Sequence, residues 1–171
     1  MEDKIIQPDN QLSKLEEDRS TRELSGDKSS SVADVEIGNL PQRGDLVLVV
    51  DDAIDNIVLL SLQLQSAGYR VITASNGEEA IKVASLARPN IILMDIGMPV
   101  MDGLGAMAKI RELEELRNIP VIAVTGFTTS GFRHAAFNVG FDGYVTKPIE
   151  FDQVNELIRR LLFQAGEKGR I

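Results

Sequence analysis

From Leu46 onward, short apolar runs alternate with stretches whose apolar residues recur every three or four positions. The runs are LVLVV (46–50), RVITA (70–74), NIILM (90–94), PVIAVT (120–125) and GYVT (143–146). They are mostly β-branched, four to six residues long and bounded by turn residues, which predicts five strands. Between them the period changes. Ile57, Leu60, Leu64 and Ala67 share one face of a first helix, closed by Gly68. A capping box from Ser75 to Glu78 predicts the start of a second helix, which must end before Pro89. A third helix is expected over 104–116. A fourth should begin at Thr129 or Ser130, bury Phe132, Ala136 and Val139, and stop at Gly140. The last carries Val154, Leu157, Ile158 and Leu161 on one side. Strand–helix units in strict alternation, with strands apolar on both faces, predict an α/β fold: a doubly wound parallel sheet between two helix layers.

Residues 1–44 break this pattern. They are polar, hold ten acids against six bases, and their scattered Leu12, Leu15 and Leu24 cannot build a core. We read them as a flexible acidic tail, with a short helix near 11–24 and a plain linker at GDKSSS. The folded domain is expected over 45–165, with a short C-terminal tail at 166–171. After the fifth helix only QAGEKGRI remains, too little for a DNA-binding or catalytic module.

Composition then removes chemistry. The chain has no cysteine and one histidine, so disulfides, thiolate nucleophiles and histidine- or cysteine-held zinc are excluded, and any metal must sit on oxygen. The net charge of -8 disfavours direct nucleic-acid binding. No apolar run approaches the ~20 residues that cross a bilayer, and the acidic start lacks the pattern of a secretory signal. The expected compartment is therefore the cytoplasm, with no membrane contact.

What remains lies at strand ends. In doubly wound sheets ligands sit beyond the carboxyl ends of the strands, where the winding reverses. There the first strand ends in Asp51 and Asp52, the third in Asp95, the fourth in Thr125, and the fifth in Tyr144, Thr146 and Lys147. With strands one and three adjacent, three carboxylates converge. Unpaired and buried, they would cost several kcal/mol each. A divalent cation removes that cost, and all-oxygen ligands suit Mg²⁺. Lys147 adds a point charge suited to a phosphoryl group, and Thr125 a hydroxyl donor. The residues thus point to a magnesium site that handles a phosphoryl group, with Asp95 as the nucleophile. Asp51 and Asp52 alone would read as a polar turn. His134 reads as a surface or boundary residue, and Met94, Met98, Met101 and Met107 as packing. Phe132 and Phe137 should divide between core and surface.

VVDD, ILMDIGMPVMDG, Thr125 and YVTKP, in that order and spacing, resemble the response-regulator receiver domain of two-component signalling over roughly residues 45–165. The resemblance implies a flavodoxin-like sheet of order 2-1-3-4-5 with five helices. It implies that Asp95 accepts phosphate from a phosphohistidine of a histidine kinase or histidine phosphotransfer protein. Asp52 would bind Mg²⁺ directly and Asp51 through water, with the backbone carbonyl of Gly97 completing the protein ligands. Lys147 would pair with Asp95 and then with the phosphoryl, aimed by a cis Lys147-Pro148 bond. Thr125 and Tyr144 would form the switch. A downstream protein would read the fourth helix, fifth strand and fifth helix, the chain acting as a monomer or a phosphorylation-dependent homodimer. Two residues depart from the usual pattern: Gly97 offers no side chain, and Phe127 puts a bulky ring, at positions bordering the path of attacking water. We expect Phe127 to shield the acyl phosphate and lengthen its life. Two other functions compete: an aspartyl-phosphate hydrolase, which would want an acid at position 97, and a receiver-like scaffold that does not use phosphate.

Overall fold

The computed structural model describes residues 44–168. The tail and short helix expected before Gly44 lie outside them. In chain order the elements are β1 (Leu46–Val50), α1 (Ile54–Ser66), β2 (Arg70–Ala74), α2 (Gly77–Ala87), β3 (Ile91–Asp95), α3 (Gly103–Glu112), β4 (Val121–Thr125), α4 (Ser130–Val139), β5 (Gly143–Thr146) and α5 (Phe151–Lys168). All strand pairs are parallel, in the order β2-β1-β3-β4-β5, as expected.

Alternate residues of the central strands feed two cores. Leu48, Val50, Ile92, Met94 and Ala123 point to the side covered by α2, α3 and α4. Val47, Val49, Ile91, Leu93 and Ile122 point to the side covered by α1 and α5. The period-two alternation thus survives although both faces are apolar. It does not extend to the edges. In β2 only Ala74 is buried while Arg70 and Thr73 are exposed, and β5 buries only Gly143, because each edge strand lacks a neighbour on one side.

The helix ends show how local chemistry sets the boundaries. After α1 the chain turns through Gly68 at φ +95°, Tyr69 N–H reaching back to Leu64 O (3.1 Å) and Gly68 N–H to Gln65 O (3.0 Å). That is a Schellman motif, and only glycine takes its left-handed position freely. The capping box of α2 sits one residue later than predicted. Asn76, not Ser75, caps the helix by accepting from Glu79 N–H (3.0 Å), and the Glu79 carboxylate binds Ser75 N–H (2.8 Å) and Ser75 Oγ (2.6 Å). α3 ends at Glu112, short of the expected residue 116. Leu113 takes an extended conformation, and a detached turn from Leu113 to Arg117 carries Leu116 into the core. The Arg111 guanidinium draws this turn in by donating to Arg117 O, Ile119 O and Gly140 O. α5 runs to Lys168, beyond the domain end placed at 165.

The methionines behave as packing residues: Met94, Met98 and Met107 are buried and Met101 is partly so. His134 is exposed, its Nδ1 2.7 Å from Ser130 O. Phe132, predicted to be buried, is 41% exposed, and Phe137 is exposed as well. The inward position on α4 is filled by Ala136, and Phe132 packs instead on another ring at the rim of the sheet.

Candidate functional site

Asp51 follows β1, and Asp95 closes β3, which pairs with β1. This adjacency brings the two carboxylates together, with Asp52 beside them. One oxygen from each of Asp51, Asp52 and Asp95 lies within 4.8 Å of the others. Asp51 is 5% and Asp95 7% exposed, while Asp52 faces solvent. Lys147, arriving from the end of β5, places Nζ 2.7 Å from Asp51 Oδ2 and 2.6 Å from Asp95 Oδ2. The Lys147-Pro148 bond is cis. Burial pulls the Lys147 pKa down, but its hydrogen bonds and attraction to Asp51 and Asp95 outweigh that and hold it above the ordinary value. The lysine is therefore a fixed positive charge at neutral pH.

The remaining expected residues sit around this centre. Gly97 N–H donates to Asp95 Oδ1 (3.0 Å). Thr125 is fully buried at the end of β4, and its Oγ accepts from Phe127 N–H (3.2 Å), which leaves its own proton for another acceptor. The Tyr144 hydroxyl donates to Phe127 O (2.6 Å), and the Arg133 guanidinium lies 5.7 Å from the Tyr144 ring centre. Burial pushes the Tyr144 phenol up, and Arg133 pulls against it.

Four contributors carry no chemical signature that the sequence pattern reveals. Asn56, in the first turn of α1, donates to both Asp51 oxygens at 3.1 Å, and Ala53 N–H adds a third contact at 2.9 Å. The only sequence hint is its nearness to the paired aspartates in DDAIDN. Gly103 lets α3 press on the strand end. A β-carbon there would stand 2.3 Å from Asp95 O and 2.8 Å from Ile96 Cα. Gly77 lets α2 approach the β3–α3 loop and α3, with Met101 O and Ala106 Cβ each 2.8 Å from any added β-carbon. Val100 sits at φ +69°, spanned by a Met101 N–H to Pro99 O bond of 2.8 Å, which is a strained γ-turn at a β-branched residue. This strain lies in the loop that follows Asp95, the place where such conformations cluster in working sites.

Three carboxylates and one ammonium leave two negative charges in a small volume. The donors are all oxygen, and among the described residues none bonds the open Asp52 carboxylate. That set fits a hard divalent cation that keeps some of its water.

Residues 47–159 match the family described as response regulator receiver domain. The chain is 37% identical over 119 residues to the polar-differentiation response regulator DivK of Brucella anthropi, covering 70% of this chain and 97% of that one. It is 34% identical over 116 residues to the alkaline phosphatase synthesis transcriptional regulatory protein PhoP of Bacillus subtilis, covering 68% of this chain and 48% of PhoP. The chain thus spans about half the length of that regulator, and 47% of a similar one, the probable transcriptional regulator ycf27 of Cyanophora paradoxa. Among solved structures it superposes on the receiver domain of the sensor histidine kinase PA1611 from Pseudomonas aeruginosa with a TM-score of 0.66 and 33% identity, covering 70% of this chain and 98% of that one. That structure holds a magnesium ion coordinated in its active-site cleft. The chemotaxis protein CheY4 of Vibrio cholerae gives a TM-score of 0.65 at 33% identity, covering 68% of this chain and 97% of that one.

Proposed function

Since this chain belongs to the response-regulator receiver family of two-component signalling, we propose that Asp95 is its phosphoacceptor and that its phosphodonor is a phosphohistidine on a histidine kinase or phosphotransfer protein. One observation carries the reading: a single ammonium, Lys147 Nζ, bridges Asp95 and Asp51. In the transfer an Asp95 oxygen attacks phosphorus, the N–P bond breaks, and the imidazole keeps the electron pair and takes a proton from solvent. Lys147 then turns from the carboxylate to the phosphoryl oxygens, where its charge opposes the negative charge that builds up. Gly97 N–H holds one carboxylate oxygen of Asp95 in a fixed direction. Asp51, Asp52, Asp95 and the Gly97 carbonyl would hold Mg²⁺, which supplies Lewis-acid stabilisation of charge on phosphoryl oxygens. Asn56 and Ala53 N–H fix Asp51 for that role.

The output is a change in protein contacts. Phosphoryl oxygens at Asp95 offer a new acceptor to the Thr125 hydroxyl. If Thr125 turns to it, Phe127 N–H loses its partner, and Phe127 O is the acceptor that holds Tyr144. The switch thus biases the surface of α4, β5 and α5, which a downstream protein reads, the chain itself acting as a monomer or a phosphorylation-dependent homodimer. The proposed compartment is the cytoplasm. Among the described residues no helix is long and apolar enough to cross a membrane.

The test is incubation with Mg²⁺ and acetyl phosphate, followed by intact mass. A receiver gains one phosphoryl mass that disappears in Asp95→Asn. A hydrolase would instead consume the donor over many turnovers, and position 97, being glycine, provides no acid for that work. A chain that takes up no phosphoryl under these conditions refutes the proposal.

A further inference from the structure

One aromatic pair beside the carboxylates has no part in phosphoryl transfer. The Phe127 and Phe132 rings stack with centroids 4.4 Å apart and planes 11° apart. Phe127 lies in the β4–α4 loop and Phe132 in the first turn of α4, and each ring remains about two-fifths exposed. A stacked pair that gained nothing from burial would not need this alignment, so its other neighbours matter. A β-carbon built on Gly97 would stand 3.8 Å from Phe127 Cε2, so the ring fills space over residue 97, whose N–H holds Asp95 Oδ1. The backbone of Phe127 joins the two switch side chains. Its N–H bonds Thr125 Oγ, and its carbonyl accepts from Tyr144. Phe127 thus touches the Asp95 loop, Thr125, Tyr144 and α4 at once, and Phe132 is the residue of α4 whose ring stacks on it.

We infer that Phe132 is a positioning residue for the lifetime of the acyl phosphate: by stacking on Phe127 it holds that ring over Gly97, whose N–H binds the Asp95 carboxylate, so that the ring screens the acyl phosphate from water. The inference rests on Asp95 being the phosphoacceptor. In the hydrolysis it controls, a water oxygen attacks phosphorus and the bond from phosphorus to the Asp95 oxygen breaks. The carboxylate keeps the electron pair, inorganic phosphate leaves, and one proton passes to solvent. Phe132 touches none of the reacting atoms. It acts by keeping Phe127 in place, so the surface of α4 and the duration of the signal are set by the same contact.

The experiment uses the full chain, phosphorylated with acetyl phosphate and Mg²⁺, freed of donor, and followed by intact mass as the phosphoryl is lost. Phe127→Ala, Phe132→Ala, Phe132→Tyr and the double alanine variant are compared, each with a urea unfolding curve. Phe132→Ala should raise the hydrolysis rate constant roughly two- to tenfold, the size expected from losing one aromatic pair. Phe132→Tyr, which can still stack, should keep the wild-type rate. The double variant should match Phe127→Ala alone, because Phe132 works only through that ring. A Phe132→Ala rate equal to wild type, or a double variant whose effects multiply, overturns the inference. If Phe132→Ala lowers the unfolding midpoint, the comparison of Phe132→Tyr with wild type decides: faster hydrolysis in a stably folded Phe132→Tyr also overturns it. A chain that gains no Asp95-dependent phosphoryl at all sinks the phosphoacceptor reading itself, a result distinct from a phosphorylated chain whose lifetime ignores Phe132.

Discussion

Replacing Lys147 by methionine should expose how much the carboxylate cluster opposes folding. The ammonium lies 2.7 Å from Asp51 Oδ2 and 2.6 Å from Asp95 Oδ2, and both acids are almost wholly buried. Without it two carboxylates face each other within 4.8 Å. At an effective dielectric of about 20 their repulsion is about 3 kcal/mol. Truncating one partner of a fully buried pair costs about 3–5 kcal/mol. The Lys147 side chain is 25% exposed, so water recovers part of that loss, and we expect about 2–4 kcal/mol. Urea unfolding in the presence of a chelator measures it. The same substitution in an Asp95→Asn background removes one of the two repelling charges and should cost at least about 1 kcal/mol less. Added Mg²⁺ should return much of the lost stability to the single variant. If Lys147→Met costs the same in both backgrounds, within about 0.5 kcal/mol, then the lysine does not hold the two acids together electrostatically and the reasoning fails.

Three further expectations follow from the same geometry. Gly103→Ala forces a β-carbon against Asp95 O and Ile96 Cα and should destabilise by about 3 kcal/mol, whereas Gly166→Ala, with nothing within 4 Å, should not; denaturant midpoints distinguish them. Asn56→Ala removes the amide that grips both Asp51 oxygens and should weaken Mg²⁺ binding by about tenfold in calorimetric titration, with Asp95 still able to take a phosphoryl. The Tyr69 phenol, buried and donating to Asn155 Oδ1 at 3.0 Å, is pushed up by burial to about 12 from an ordinary value of 10.0. Between those two pH values the unfolded chain loses the proton first, so stability should be full below pH 10 and fall by roughly 1–2 kcal/mol as pH rises towards 12. Tyr69→Phe should flatten the slope in unfolding curves recorded across that range, leaving the smaller part that Lys147 and Tyr144, whose pKa values also lie above their ordinary ones, contribute.

The chemical residues of the site were legible because they stand where strands cannot use them. A run such as IILM ending in Asp95, or GYVT ending in Lys147, breaks an apolar pattern at its carboxyl end, and a parallel sheet gathers those ends. The supports were less legible, because their roles depend on contacts that spacing and residue type do not fix. The pattern does not mark Gly103 as the place where α3 meets the backbone of Asp95, and Asn56 is hinted at only by its nearness to the paired aspartates. The misplaced boundaries have the same origin. Leu113 and Leu116 keep a helical spacing, yet the carbonyls drawn in by Arg111 end α3 before them. At α2 two adjacent residues could each have capped, and Glu79 chose between them by reaching Ser75.

Phe132, exposed where its spacing predicts burial, bears most directly on function. Its spacing with Ala136 and Val139 fits a buried face, but on α4 only Ala136 is buried, against Ala106, Met107 and Ile110 on α3 and Ile57, Leu60 and Leu64 on α1. Stabilisation by burial scales with the apolar area removed from water, and an alanine removes little. α4 is thus held to the sheet by a weaker apolar seam than the helices that frame the carboxylates. The same helix carries Phe132 on the ring of Phe127 and Arg133 over Tyr144. On the phosphoacceptor role proposed for Asp95, a helix that answers to the added charge has to be movable at a cost of a few kcal/mol, because a ligand shifts an equilibrium only by its differential interaction with the two states. A large aliphatic residue at 136 would anchor α4 more firmly and oppose that shift. The shallow seam and the two aromatic contacts at the loop end belong together: the helix is loose towards the core and tied to the residues beside Asp95.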